Sequence, residues 1–397
     1  MFVETLSKLN NQIEKVGMLK PIGRTTLQRL LEKSTRGTIL ESKEIIDILN
    51  GTIDDNNRKL ILDFSANYKR PHNTEILLLP PLYISSICEN KCRYCNFPKS
   101  EGVRLSYSEF INEFNALIKL GYRSIELVSG QDPQLFKRAN YFNMENQKFI
   151  IENTLKYFKL AKKELNSYGG GMLTSNIPPL DIESFKKLNK AGLDCYLTWL
   201  ETFNHFQYKQ LHFQEGPKMN QNFRLNSLEM ALKAGIKHVA GAFLKGLYDW
   251  KKETVSLYLL DSYLKSKFSR GFSIIGTPRL KRSLIKSKLV KQYLVNNEDF
   301  ELSMALDRIL FDGISWLQTR ESFEFNRKLI NKYGGGVILT LTCSTAPGGY
   351  YKSTSAESQF PIYKQGLSES IKKLEQDGYR IIFDWDSETL SAFQRKQ

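Results

Sequence analysis

Three cysteines crowd one short stretch of the 397-residue chain, Cys88-Glu-Asn-Lys-Cys92-Arg-Tyr-Cys95-Asn-Phe97. With 5 cysteines in all, composition alone would produce such a triplet in fewer than about one chain in a thousand. The C-x3-C-x2-C spacing lets one loop turn all three sulfurs toward a single face. Three thiolates can hold three irons of a cubane [4Fe–4S] cluster, one fewer than electron-transfer clusters use. The fourth iron would then stay open to a chelating ligand. Two other uses of the triplet fit less well. A structural zinc needs a fourth ligand, commonly His, and His72, His205, His212 and His238 form no C-x2-C…H-x3-H pattern. A disulfide would leave one of three thiols unpaired.

Such a loop needs elements to hold it. Residues 1 to 75 read as polar and helical, with Ser42-Lys-Glu-Ile-Ile-Asp-Ile-Leu49 an amphipathic piece, and form an expected N-terminal cap. The first strong strand, Ile76 to Ser85, feeds directly into the cysteines; Pro80 and Pro81 should weaken its pairing there. A phrase then recurs: amphipathic helix, Gly, short apolar strand. It runs through Gly121 into Ser124-Ile-Glu-Leu-Val, through Gly192 into Cys195-Tyr-Leu-Thr-Trp, and through Gly235 into His238-Val-Ala-Gly-Ala-Phe. Gly after a helix takes the left-handed conformation that turns the chain back, and alternating helices and apolar strands imply parallel β-α units. Tyr168-Gly-Gly-Gly and Tyr333-Gly-Gly-Gly introduce two further strands. Strands are expected near 77, 124, 170, 194, 238, 272, 313 and 336. The expected fold is an α/β (β/α)8 TIM-type barrel, full or partial, over 76–342, with 343–397 as a C-terminal extension closing it. In such a barrel chemistry belongs at the C-terminal ends of the strands, and the cysteine loop follows strand one.

The formal charge is +15, from 57 Lys and Arg against 42 Asp and Glu. That raises a nucleic-acid partner, but the basic residues are dispersed on helix faces, without a run of five, so this partner is not expected. No stretch approaches eighteen apolar residues, so no membrane span is expected. The N-terminus lacks the basic and apolar regions of a signal peptide, and five unevenly spaced cysteines make no secreted disulfide framework. A reducing, cytoplasmic setting is expected.

The cysteine spacing, with Tyr94 before the last cysteine and Asn96-Phe97 after it, resembles the radical S-adenosylmethionine (radical SAM) superfamily. Further segments in order resemble the 2-iminoacetate synthase (tyrosine lyase) family of thiamine biosynthesis: Pro81-Leu-Tyr-Ile-Ser, Leu200-Glu-Thr-Phe-Asn-His, Gly241 to Asp249, Pro278-Arg-Leu, Thr319-Arg-Glu-Ser, Pro347-Gly-Gly-Tyr and Phe383-Asp-Trp-Asp386. They span residues 75 to 387. The resemblance implies one [4Fe–4S] cluster on Cys88, Cys92 and Cys95, S-adenosylmethionine on its open iron, and a 5′-deoxyadenosyl radical as oxidant. It implies cleavage of the tyrosine Cα–Cβ bond to 2-iminoacetate and p-cresol, for thiazole formation.

The same resemblance assigns candidate roles. Tyr94 and Phe97 would border the SAM adenine. The Ser129-Gly130-Gln131 edge would receive the SAM ammonium, with Gln131 where the family usually has glutamate. Glu201, costly to bury without a partner, would contact SAM, and the Gly241-to-Gly246 stretch with Leu244 would let adenine approach. Arg279 and Arg320, at the ends of strands six and seven, would clamp the substrate carboxylate, since a planar guanidinium binds carboxylate in bidentate fashion. A structural salt bridge, such as Arg320 with Glu201 or Glu321, is the competing use. The hydrogenase-maturation relative carries a second cluster on C-terminal cysteines; here only Cys343 follows residue 342, so none is expected, and Cys195 and Cys343 read as inert. Tyrosine is the expected substrate, with tryptophan or RNA as alternatives. An electron donor such as flavodoxin or ferredoxin, and a thiazole synthase, are the implied protein partners.

Overall fold

The computed structural model describes the chain except residues 1, 98–100, 140–146, 213–215, 282–287, 343, 352–357, 365 and 396–397. Four helices come first: α1 (Phe2–Ile13), α2 (Arg24–Thr35), α3 (Ser42–Gly51) and α4 (Asp55–Asn67). The chain then alternates: β1 (Glu75–Leu78), β2 (Pro81–Ser85), α5 (Tyr107–Lys119), β3 (Ser124–Ser129), a short hairpin β4 (Lys137–Arg138) and β5 (Phe149–Ile150), α6 (Glu152–Ser167), β6 (Met172–Asn176) and α7 (Ile182–Lys190). It continues through β7 (Cys195–Glu201), α8 (His205–Leu211), α9 (Gln221–Lys233), β8 (His238–Phe243), α10 (Trp250–Phe268), β9 (Ile274–Gly276) and α11 (Asn297–Leu310). The last elements are β10 (Ile314–Leu317), α12 (Phe323–Tyr333), β11 (Val337–Leu339), α13 (Leu367–Gln376), β12 (Arg380–Ile382) and α14 (Ser387–Phe393).

Ten strands make one sheet in the order β12-β1-β11-β10-β9-β8-β7-β6-β3-β2, every pair parallel. All eight expected strands are present, β1 and β2 being two halves of the first. Proline has no N–H to give a ladder, and at Pro80-Pro81 the strand changes partner from β11 to β3. Leu79 N donates to Leu339 O (3.3 Å) on one side, and Pro80 O accepts from Glu126 N (3.0 Å) on the other. The curled sheet therefore meets itself at its broken first strand. The three glycines after the helices take the expected left-handed conformation, with φ of 100° at Gly121, 99° at Gly192 and 88° at Gly235.

Strand periodicity divides the barrel bore into layers. Its lower part is apolar, built from Leu77, Met172, Cys195, Leu197, Ile274, Ile314 and Ile338. Trp385, Leu390 and Phe393 complete that cluster from the C-terminal segment. Trp385 Nε1 donates to Leu78 O (2.8 Å), and its carbonyl accepts from Ser124 Oγ (2.5 Å). The Asp-Trp-Asp segment thus supplies a plug, with Asp386 capping α14 through Thr389 N (2.8 Å). Neither β12 nor the β4–β5 hairpin was expected from sequence, being two and three residues long with no periodicity to read. On the outside, α3 packs against α10 and α4 against α11. No helix among the described residues is long and apolar enough to cross a membrane.

Candidate active site

The cysteine loop follows β2 and lies over the C-terminal ends of the strands. Its base is fixed by Asp132, fully buried, which accepts from Ser85 Oγ (2.7 Å) and from Arg104 Nε and Nη2 (2.6 Å each). A two-pronged charge-assisted pair of this kind constrains orientation as well as position. The loop then crosses the β3 edge at Gly130, where a Cβ would sit 2.4 Å from Ile87 O and 3.1 Å from Cys88 Cβ. Only glycine permits that approach. The next residue, Gln131, donates its backbone N–H to Cys88 Sγ (3.4 Å), and its carbonyl accepts from Glu89 N (3.0 Å).

Cys88, Cys92 and Cys95 line one lobe together with Phe97, Ser129, Gly130, Gln131, Glu201 and Lys218. Among the described residues no three His, Cys, Asp or Glu side chains converge on one ion-sized point. The three sulfurs line one shared space, which fits a cluster held by three thiolates. Burial pushes the Cys92 thiol up to about 12 and the Cys95 thiol to about 11. Thiols so desolvated ionise when a cationic centre binds them. Gln131 adds a buried Nε2 with no partner, as expected beside a polar ligand. These residues fit a [4Fe–4S] cluster and its SAM.

A second lobe shares Cys95, Trp199, Glu201, Lys218 and Gln359 with the first and adds Tyr94, Leu244, Pro278, Arg320 and Phe360. Glu201 stands at this junction because β7 bulges: Trp199 pairs with Ala242 and Glu201 with Phe243, leaving Leu200 extra. Its φ of 69° is left-handed and strained for a non-glycine residue. Lys218 Nζ meets Glu201 Oε1 at 2.5 Å. Burial raises the Glu201 carboxyl, but Lys218 and Arg224 more than offset it and hold it below its usual value. Burial likewise opposes the Lys218 ammonium, while Cys92 and Glu201 hold its pKa above the ordinary one. The same ammonium lies 5.6 Å from the centre of the Tyr94 ring. His212 Nδ1 faces Tyr208 O (2.8 Å), which only a donor can satisfy, so Nε2 is the acceptor for Tyr94 O–H (2.7 Å). Burial, reinforced by Lys218, pushes the His212 pKa down to about 3, keeping the ring neutral.

The two arginines part company. Arg279 is not at the cavity. Its Nε donates to Glu321 Oε1 (2.9 Å), its Nη2 to Glu321 Oε2, and its Nη1 to Val295 O (3.3 Å) and Asn297 Oδ1 (3.0 Å), with the guanidinium over Phe300. A guanidinium this fully engaged has no fork left for a carboxylate, so the clamp expected of Arg279 is corrected to a structural ion pair. Arg320, 8% exposed, faces the second lobe with its Cζ 3.7 Å from the Phe360 ring centre. Among the described residues it has no ion-pair or hydrogen-bond partner, and Nε is buried and unsatisfied. Burial lowers its pKa.

The other residues expected to hold the cluster, SAM or substrate line these two lobes. Sequence reasoning missed Lys218, Arg224, Trp199, Gln359 and Phe360. Trp199 had a signal, two residues before Glu201 on the same strand face. Gln359 had none, because it reaches Tyr83 O–H (2.8 Å) and Cys95 Sγ (3.9 Å) from some 264 residues away in sequence. Cys195 is buried in the apolar bore, away from the loop; Cys343 lies outside the described residues.

A three-thiol loop over the C-terminal mouth of a parallel barrel is the arrangement radical SAM enzymes use, and the model of the Radical SAM superfamily matches residues 82–257. The chain binds a [4Fe–4S] cluster and SAM, as enzymes of that superfamily do. More particularly, it is a radical SAM lyase similar to 2-iminoacetate synthase of Escherichia coli strain K12, with 25% identity over 327 residues, 79% of each chain. Among solved structures it is similar to the FeFe-hydrogenase maturase HydG of Carboxydothermus hydrogenoformans, with 25% identity, a TM-score of 0.79, and 98% of this chain and 86% of that one covered. Methylornithine synthase (PylB) shares the fold, at a TM-score of 0.65 and 15% identity over 92% of this chain and 99% of that one.

Proposed function

We propose that this enzyme cleaves the Cα–Cβ bond of L-tyrosine to 2-iminoacetate and p-cresol, supplying the former for thiazole formation in thiamine biosynthesis. The observation that carries the reading is Arg320. A buried guanidinium without a counter-ion is costly, and it faces the lobe that adjoins Cys95. A substrate carboxylate is the partner it lacks. The similarity to 2-iminoacetate synthase supplies the reaction class.

Cys88, Cys92 and Cys95 would hold the cluster, and Gln131 and Glu201 the SAM. When bound, these cofactors would supply the oxidising radical chemistry needed for hydrogen-atom abstraction at the substrate amine. The protein's part is to fix the carboxylate on Arg320 so that the amine sits toward the cofactor lobe. Trp199, Phe360 and Leu244 exclude water and oxygen from the interval between them. Tyr94 and Phe97 would border the adenine. Flavodoxin or ferredoxin would supply electrons, and a thiazole synthase would take the product.

Anaerobic reconstitution, with dithionite, SAM and a panel of aromatic amino acids, tests the reading by product mass spectrometry. Tyrosine should yield p-cresol and glyoxylate, from hydrolysed 2-iminoacetate, in amounts matching 5′-deoxyadenosine. SAM cleavage that ignores tyrosine and makes no p-cresol would refute the substrate while leaving the radical SAM chemistry intact. Tryptophan in the same panel covers the nearest competing substrate.

A further inference from the structure

Beneath the Arg320 lobe lies a third, reaching into the barrel bore. It shares Trp199 and Phe360 with the Arg320 lobe, and Thr319, the neighbour of Arg320, lines it as well. Its walls are aromatic: Trp199, Trp316, Phe360 and Tyr83. The Trp199 ring is admitted over β9 because residue 276 is glycine, where a Cβ would come within 2.0 Å of it. Pro81 and the polar side chains of Glu126, Asn176, Gln318, Thr319 and Thr340 complete the lining.

Glu126 is the anomaly among them. It projects from β3 into the bore, where strand neighbours are apolar or hydroxylic, and is 3% exposed. Its Oε1 is buried with no hydrogen-bond partner, and Asn176 lies beside the carboxyl. No described basic side chain pairs with it. Thr340, by contrast, is already used: it accepts from Trp316 Nε1 (2.9 Å) and donates to Leu79 O (2.9 Å). One acid oxygen is therefore left facing an aromatic-walled space, on the way in from the buried guanidinium.

We infer that Glu126 is the residue that reads a hydroxyl at the far end of an aromatic substrate side chain. The inference rests on the tyrosine reading and deepens it. A substrate held by its carboxylate on Arg320 would pass its ring between Phe360 and Trp199, the two walls common to both lobes. Its far end then arrives at Glu126. Burial pushes this carboxyl up to about 8, so at neutral pH it is a neutral acid. It can donate one hydrogen bond and accept another. A phenol does both in return. Phenylalanine does neither and would leave the acid unpaired, which is how a site built around a substrate hydroxyl rejects its deoxy analogue. The indole N–H of tryptophan can only donate.

The test is calorimetric titration of L-tyrosine and L-phenylalanine into the cluster-loaded protein with SAM and without reductant, so that nothing turns over. Wild type should bind tyrosine at least about 100-fold more tightly than phenylalanine, within the discrimination open to a hydroxyl-reading site. Glu126→Leu should bring the two within about fivefold, mainly by losing tyrosine. Glu126→Gln keeps the size and a hydrogen bond, and should retain most of the preference; iron content and melting temperature report whether either variant folds. Tyrosine and phenylalanine binding wild type equally would overturn the role of Glu126 and spare the tyrosine reading. A preference undiminished in the folded Leu variant would overturn it too. Failure of tyrosine to bind wild type at all would remove both.

Discussion

The lower and upper halves of the bore are built by the same strands and could hardly differ more. Below, Leu77, Met172, Leu197, Ile274, Ile314 and Ile338 pack into a dry layer sealed by Trp385 and Phe393. Above, Glu126 on β3, Asn176 and Glu201 at the ends of β6 and β7, and Thr340 just past β11 face the cavities, with Arg320 just beyond β10. A strand presents every second side chain to one face, so one face runs from the apolar layer to the polar one, as from Met172 to Asn176 on β6. The lower half is satisfied within itself. The upper half contains groups that are not: Arg320, Glu126 Oε1 and Gln131 Nε2. Stability sits in one half and unspent recognition in the other.

The sharpest way to break that contrast is at the cysteines. Cys88→Ala, Cys92→Ala or Cys95→Ala should each abolish SAM cleavage, whereas wild type reconstitutes about four irons and four sulfides, the content of one cubane. Cys195→Ala, in the lower half, should keep iron and cleavage alike. Loss of iron in that variant would show that the apolar layer supports the mouth more directly than its packing indicates.

Next in size is the plug. Trp385→Ala removes a fully packed ring and should cost about 3–5 kcal/mol of stability, read by chemical denaturation. An unchanged midpoint would deny Trp385 its sealing role. The paired arginines come after it. Arg320→Ala should weaken tyrosine binding by about 2–5 kcal/mol, the range for truncating one partner of a buried charge pair, while tyrosine-independent SAM cleavage changes less. Arg279→Ala should instead lower the melting temperature, because it removes the two-pronged partner of buried Glu321 and leaves only Lys281 beside it. Equal losses of tyrosine binding in the two variants would undo the distinction between them.

Gln131→Ala should weaken SAM binding by about 1–3 kcal/mol, the worth of a hydrogen bond to a charged group, and Gln131→Glu should bind at least as well as wild type. An unchanged dissociation constant in the Ala variant would leave the residue a turn element. The subtlest effect is in pH. Burial pushes the Glu126 carboxyl up to about 8 in the folded state, from an ordinary 4.5, so between those values the folded state holds a proton the unfolded state has lost. Stability must then fall as pH rises through that window. Glu126→Gln cannot titrate, and its denaturation midpoint should fall less between pH 5 and pH 9 than that of wild type, over a span fixed at about those two values for comparison. Parallel declines would place the pH sensitivity elsewhere.

Much of this was legible before any coordinates. Spacing within a loop is local, so Cys88, Cys92 and Cys95 could be read as ligands of one group. Helix-Gly-strand phrases are local too, and they placed all eight barrel strands and put the chemistry at their C-terminal ends. What sequence could not decide was which groups spend their charge on the protein itself. Arg279 and Arg320 follow successive strands and looked equivalent. Only the packing of Glu321 and Asn297 against the first, and of the Phe360 ring against the second, separates a closed ion pair from an open guanidinium. Lys218 for Glu201, Gln359 over Cys95 and Trp385 beneath the bore come from distant segments with no periodicity to announce them. Pairing of charges is settled by distances through space and by desolvation, and neither quantity is written in the order of residues along a chain.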